Sequence, residues 1–216
     1  MPNNSKSQDI KCPRKALVSY LWITIFAGFA GKYGADNIKT IIDSQGFFPL
    51  FSFVVPTIFF ITLIRFSIGN ILHLRALEEK DSPSSIWVFD FLVILLESIT
   101  FLLLGAYSYG NNLRFFLLLM VLFFIDFIWI ATMPIQGKNR PKIPWSWGAL
   151  NGFSALILVG IIISEFYYKV AYSDTSEVVC FLFVWFIFCA IIDLYLDHYN
   201  LWRIKNQKTS QPSPSS

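Results

Sequence analysis

The chain has 216 residues, of which 55% are hydrophobic and 14% charged, with a formal charge of +3 and a mean hydropathy of +0.57. That apolar excess exceeds soluble globular usage and has to be solvated by lipid. So weak a charge, with its basic residues spread over several loops, excludes a nucleic-acid binder.

Residues 1–15 (MPNNSKSQDIKCPRK) are a polar, basic tail, and Lys11, Arg14 and Lys15 abut a first apolar run over 16–31. The basic flank, the apolar run and the small-residue stretch Ala27-Gly28-Phe29-Ala30 also fit a cleavable leader. A retained first helix is the expectation. From Asp36 to Gly46, Ile38, Ile41 and Ile42 recur at helical spacing between polar residues, which predicts a short separate helix in the interface.

A second span over 47–74 holds Pro49 and Pro56, and Pro56 predicts a kink because it removes a backbone donor. The same span carries Arg65, Asn70 and His73 before a charged loop, RALEEKDSPSS. The third and fourth spans, 86–107 and 113–133, are joined by a short polar turn, and each meets the roughly twenty apolar residues that a bilayer requires. They nevertheless contain Asp90 and Glu97 in one and Asp126 in the other. Charge in hydrocarbon is costly, so such residues face a bundle interior, a partner or water.

After the basic, proline-rich loop PIQGKNRPKIP comes a fifth span over 145–167, in which Gly148, Gly152 and Gly160 predict close helix contact. The sixth span, 178–202, carries Asp193, Asp197 and His198, and the tail 203–216 has the composition of disorder. The expected fold is an all-α polytopic bundle of six transmembrane helices over 16–202, in a plasma or inner membrane.

Six spans place both termini on one side. The tails and the second and fourth loops hold twelve basic residues (Lys6, Lys11, Arg14, Lys15, Arg75, Lys80, Lys138, Arg140, Lys142, Arg203, Lys205, Lys208), against four (Lys32, Lys39, Arg114, Lys169) in the opposite loops. This bias predicts cytoplasmic termini. Trp87, Trp145, Trp147 and Trp202 then fall near the inner boundary, and Tyr33, Tyr107, Tyr109, Tyr167, Tyr168 and Tyr172 near the outer one.

With a rise of about 1.5 Å per residue, Arg65, Glu97, Asp126 and Asp193 reach a similar depth, roughly 10 to 17 Å from the inner boundary. Arg65 has acidic neighbours within reach, Asp126 and Glu97 among them, and helix rotation leaves its actual partner open. Asp90 and Glu97, seven residues apart, share one helix face, which should point inward. Asn70, His73, Asp90, Asp197 and His198 form a shallower layer, so a cavity should open to the cytoplasm. Three deep carboxylates exceed what one guanidinium can neutralise, and the surplus suits a proton or cation site.

His73 and His198, with Asp90 or Asp197, match the minimum for a metal or haem site, but ordinary interfacial histidines are the expectation, with no metal, cofactor or catalytic residue. Cys12, Cys180 and Cys189 make no disulfide framework. No nucleotide-binding glycine loop, HExxH, paired CxxC, GxSxG or TVGYG run occurs.

Three functions fit this pattern. The first is a small transporter or channel component moving protons or cations. The second is a non-catalytic membrane subunit or a signal-responsive, pore-forming effector. The third is an inner-leaflet enzyme using His73 or His198. Expected partners are the lipid bilayer and either further copies of the chain or another membrane protein.

Overall fold

A computed structural model of the chain describes residues 14–45, 50–79, 84–110, 112–133, 145–168 and 175–209, with side chains at 18–44, 52–78, 85–110, 112–133, 146–168 and 175–196. Those residues form α1 (Arg14–Gln45), α2 (Val54–Glu79), α3 (Ser84–Tyr107), α4 (Asn112–Thr132), α5 (Trp145–Tyr168) and α6 (Ser176–Thr209). A short 3-10 turn, Leu50–Phe53, leads into α2.

Among the described residues, five helices, α2 to α6, are long and apolar enough to cross a membrane. In helix α1 the apolar run stops at Gly31 and the helix continues through Lys32, Asp36, Lys39 and Asp43. An exposed Lys32–Asp36 ion pair of 2.7 Å marks the change in character.

Two expectations from the sequence need correction here. The segment after Gly31 is not a separate interfacial helix but the second half of α1, which runs unbroken to Gln45. The reason lies in Asn37, whose Nδ2 donates to the Gly105 carbonyl at 2.8 Å and to Ser108 Oγ at 2.9 Å. The last carbonyls of a helix have no partner within it, so the end of α3 ties down the second half of α1. Pro56 does not kink a helix interior either. It sits in the first turn of α2, where a missing N–H breaks no helical hydrogen bond.

The helices meet through small residues. A Cβ on Gly105 of α3 would stand 2.9 Å from the Ala30 carbonyl of α1, and one on Gly34 of α1 would stand 2.6 Å from the Phe59 ring of α2. Helix α5 approaches α4 the same way: Cβ atoms on Gly148 and Gly152 would each lie 2.9 Å from a side-chain carbon, of Ile130 and Phe127 respectively. Gly160 faces open space and takes no part in the contact. Between α3 and α4 the chain turns at Gly110, whose φ of 82° favours glycine.

Packing is densest along α4, where Phe115, Phe116, Leu119, Leu122 and Phe123 are fully buried against Phe59 of α2, Leu104 of α3, Leu158 of α5 and Phe186 of α6. Phe123 and Phe186 stack with ring centroids 5.6 Å apart. The outward faces are apolar instead, with Leu92, Ile128, Leu156, Ile163, Val184 and Ile191 all exposed. So much contiguous apolar surface suits lipid rather than water. What the bundle hides is polar.

Candidate functional site

Arg65 lies midway along α2 with 8% of its surface exposed. Its Nε donates to Asp193 Oδ2 on α6, and its Nη2 donates to Asn151 Oδ1 on α5 at 2.5 Å. The Nδ2 of Asn151 in turn donates to Asp126 Oδ2 on α4. One amide thus links the guanidinium to a second carboxylate. The guanidinium carbon also lies 5.8 Å from the ring centroids of Phe66 and Phe123, a distance at which cation–π attraction operates.

The cluster continues to α3. Glu97 of α3 and Asp126 of α4 are buried carboxyl groups close enough to interact electrostatically. Asn70 of α2 donates from Nδ2 to Glu97 Oε2 at 2.8 Å. Arg65 and Asn70 are five residues apart, a turn of roughly 140° around the helix. Helix α2 therefore serves α5 and α6 with one side and α3 with another. Five helices contribute side chains to one buried polar cluster.

Below it on α2 and α3 is a second layer. His73 Nε2 and Asp90 Oδ2 are 2.8 Å apart, Trp129 Nε1 on α4 donates to Asp90 Oδ1 at 2.9 Å, and the His73 ring meets Trp129 edge-on with centroids 4.7 Å apart. The spacing explains the pairing, because Asn70 and His73 stand one turn apart on α2 while Asp90 and Glu97 stand two turns apart on α3. A smaller link joins α5 to α6, where Trp185 Nε1 donates to Ser154 Oγ at 2.9 Å.

Two cavities touch the deep cluster. The smaller, about 10 Å³, is lined by Arg65, Asn70, Asp126, Trp147, Asn151 and Asp193. The larger, about 20 Å³, lies between α1, α2 and α3, with Ser67, Asn70, Glu97 and Ser98 on its polar side and Ile23, Phe26 and Ala27 on its apolar side. Each has room for about one water molecule. Arg65 Nη1, Trp147 Nε1, Glu97 Oε1, Asp193 Oδ1 and His73 Nδ1 are buried without a hydrogen-bond partner among the described residues.

The four deep charges read from the sequence, Arg65, Glu97, Asp126 and Asp193, come together, and all are buried. The pairing that the sequence leaves open is direct to Asp193, and Arg65 reaches Asp126 only through Asn151. Asn70 belongs to the deep unit rather than the shallower layer. His73 and Asp90 make that layer with Trp129, while the side chains of Asp197 and His198 lie outside the described residues, as does Cys12. Cys180 is exposed and Cys189 buried, as their half-turn offset on one helix requires. Among the described residues no three histidine, cysteine or acidic side chains gather as a metal site.

Sequence reasoning passes over Asn151, Trp129 and Trp147. The signal for Asn151 is present, since an amide inside a span must find hydrogen-bond partners as a charge must. Trp147 reads as an interfacial ring but lies against Gly69 of α2, where a Cβ would collide with the indole. Comparison of the chain with protein-family models, curated proteins and solved structures finds no match.

Proposed function

We propose that the chain is a small multi-pass transporter or channel component that moves protons or cations, with Glu97, Asp126 and Asp193 as ion sites and Arg65 as counter-charge. One observation carries the reading: three buried carboxyl groups are gathered around a single guanidinium, with only Asp193 paired to it directly, in an interior that water-sized cavities reach. A structural ion pair needs only Arg65 and Asp193. The other two carboxyl groups are a buried excess that packing does not call for, and buried ionisable groups within membrane helices mark ion and proton pathways. In this reading α1 is the sixth span, both termini are cytoplasmic, and the cluster lies in the inner half of the bilayer.

The same geometry weighs against the other two functions. A subunit whose charges await a partner protein would present them at its surface, but these are buried and hydrogen-bonded within the chain. An inner-leaflet enzyme would need His73 open to a lipid headgroup, yet His73 is buried between Asp90 and Trp129. The test is flux in liposomes carrying the purified full chain, with protons, Na⁺ and K⁺ followed separately. Asp126→Asn should abolish flux while the protein stays folded and monodisperse. A well-folded wild-type protein that passes none of these ions overturns the proposal.

A further inference from the structure

We infer that the larger cavity, between α1, α2 and α3, binds one dehydrated monovalent metal cation through oxygens of Glu97, Asn70, Ser67 and Ser98; as the site of the cargo it rests on the transport reading above. All four residues line that cavity. Glu97 supplies the charge. It is 1% exposed, Asn70 Nδ2 holds its Oε2 at 2.8 Å, and its Oε1 is buried without a hydrogen-bond partner among the described residues. The Arg65 guanidinium is engaged by Asp193 and Asn151, and Arg65 does not line this cavity.

The bonds that these residues already make leave them as acceptors. Ser98 donates its hydroxyl proton to the Ile94 carbonyl at 2.6 Å, so lone pairs are what its Oγ has left. Asn70 has given the nitrogen end of its amide to Glu97, and the oxygen is the end that remains. Ser67 adds a fourth oxygen. Polar groups that offer lone pairs suit a positive occupant, and hard cations take oxygen ligands. A water molecule has two protons to donate and no charge, so it would leave the carboxylate uncompensated in a buried place.

Volume and charge set the class of ion. About 20 Å³ is room for one water-sized occupant, which a bare Na⁺ or K⁺ also fits. One carboxylate on the wall matches one positive charge. A divalent ion calls for a second, and Asp126 lines only the smaller cavity. That smaller cavity is unsuited to a cation, because Arg65 brings positive charge to its wall and the buried donors Arg65 Nη1 and Trp147 Nε1 have no partner among the described residues. Helix α1 adds only Ile23, Phe26 and Ala27 to the larger cavity, and these offer no ligand. An entering ion therefore exchanges its hydration shell for side-chain oxygens of α2 and α3.

The experiment titrates the purified full chain in detergent micelles with NaCl or KCl against choline chloride at constant ionic strength, and follows the unfolding temperature by circular dichroism. A ligand that binds the native state raises that temperature as its concentration passes the dissociation constant. At least one of the two metal ions should do so in wild type, and the order of their affinities reports the size of the site. Glu97→Gln should remove the response. Ser98→Ala keeps the carboxylate and should raise the half-maximal concentration about tenfold, the scale on which loss of one group around a metal weakens binding. A wild type that responds to neither ion, or a response that Glu97→Gln keeps, overturns the site. Should Glu97→Gln fail to fold, an unshifted Ser98→Ala overturns it alone. Flux in liposomes separates the site from the reading it rests on. Ion flux without the binding response overturns the site and leaves transport standing, whereas a response lost in Glu97→Gln with no flux of any ion supports the site and overturns transport.

Discussion

Replacing Arg65 by methionine isolates what the guanidinium does for the bundle. The change keeps much of the apolar stem but removes the donor to Asp193, the 2.5 Å hydrogen bond to Asn151 and the contacts with Phe66 and Phe123. Asp193, 2% exposed, is left buried without its counter-charge. Breaking a buried pair from one side typically costs about 3–5 kcal/mol, whereas replacing both partners by apolar residues is often neutral. Arg65→Met should therefore destabilise by about 3–5 kcal/mol, and adding Asp193→Leu should recover at least about 2 kcal/mol of that loss. Arg65→Met with Asp126→Asn should recover less, because Asp126 meets the guanidinium only through Asn151. Unfolding by sodium dodecyl sulfate in mixed micelles, followed by circular dichroism, gives each free energy. Additive losses at Arg65 and Asp193, or a rescue by Asp126→Asn equal to that by Asp193→Leu, would refute the assigned pairing.

The glycines of α5 make a paired test. Gly152→Leu drives a side chain into Phe127, whose ring already lies 2.9 Å from the Cβ position, and should cost about 1–3 kcal/mol in the same assay. Gly160→Leu, with nothing within 4 Å, should stay within about 0.5 kcal/mol of wild type. Trp129→Phe keeps the ring against His73 but removes the indole donor to Asp90, and should cost about 1–3 kcal/mol for one weakened buried acceptor. A neutral result there would mean that Trp129 is packing alone.

The sequence makes the depth of each polar residue legible and leaves its direction open. Rise per residue brings Arg65, Glu97, Asp126 and Asp193 to one level, and a seven-residue interval sets Asp90 and Glu97 on one face. Both hold, because they depend on helix geometry alone. The partner of Arg65 depends on how α5 and α6 are rotated about their axes, and apolar positions around a membrane helix constrain rotation weakly. Asn151 fixes it, yet an amide draws less notice than a charge. The continuation of α1 is hidden for another reason: a polar stretch with isoleucines at helical spacing looks interfacial until the carbonyl of Gly105, a long-range partner, is known. Pro56 shows how much depends on where a helix starts, since the 3-10 turn ahead of α2 moves it from the interior to the first turn.

Counting charge explains why the network has the shape it does. Arg65 and Asp193 cancel, and any charge on Glu97 or Asp126 is in excess of the guanidinium. Held alone in hydrocarbon that charge would cost several kcal/mol. Here Asn70 donates to Glu97 and Asn151 donates to Asp126, and Asn151 is itself polarised by the guanidinium. Hydrogen bonds in such a chain strengthen one another, so removal of any central member is felt along the whole chain. On the transport proposal, stability and ion movement are therefore entangled at Arg65, Asn151 and Asp193. They come apart at Glu97, where Asn70 supplies an independent donor. A loss of flux without a loss of stability is diagnostic there, and at Arg65 it is not.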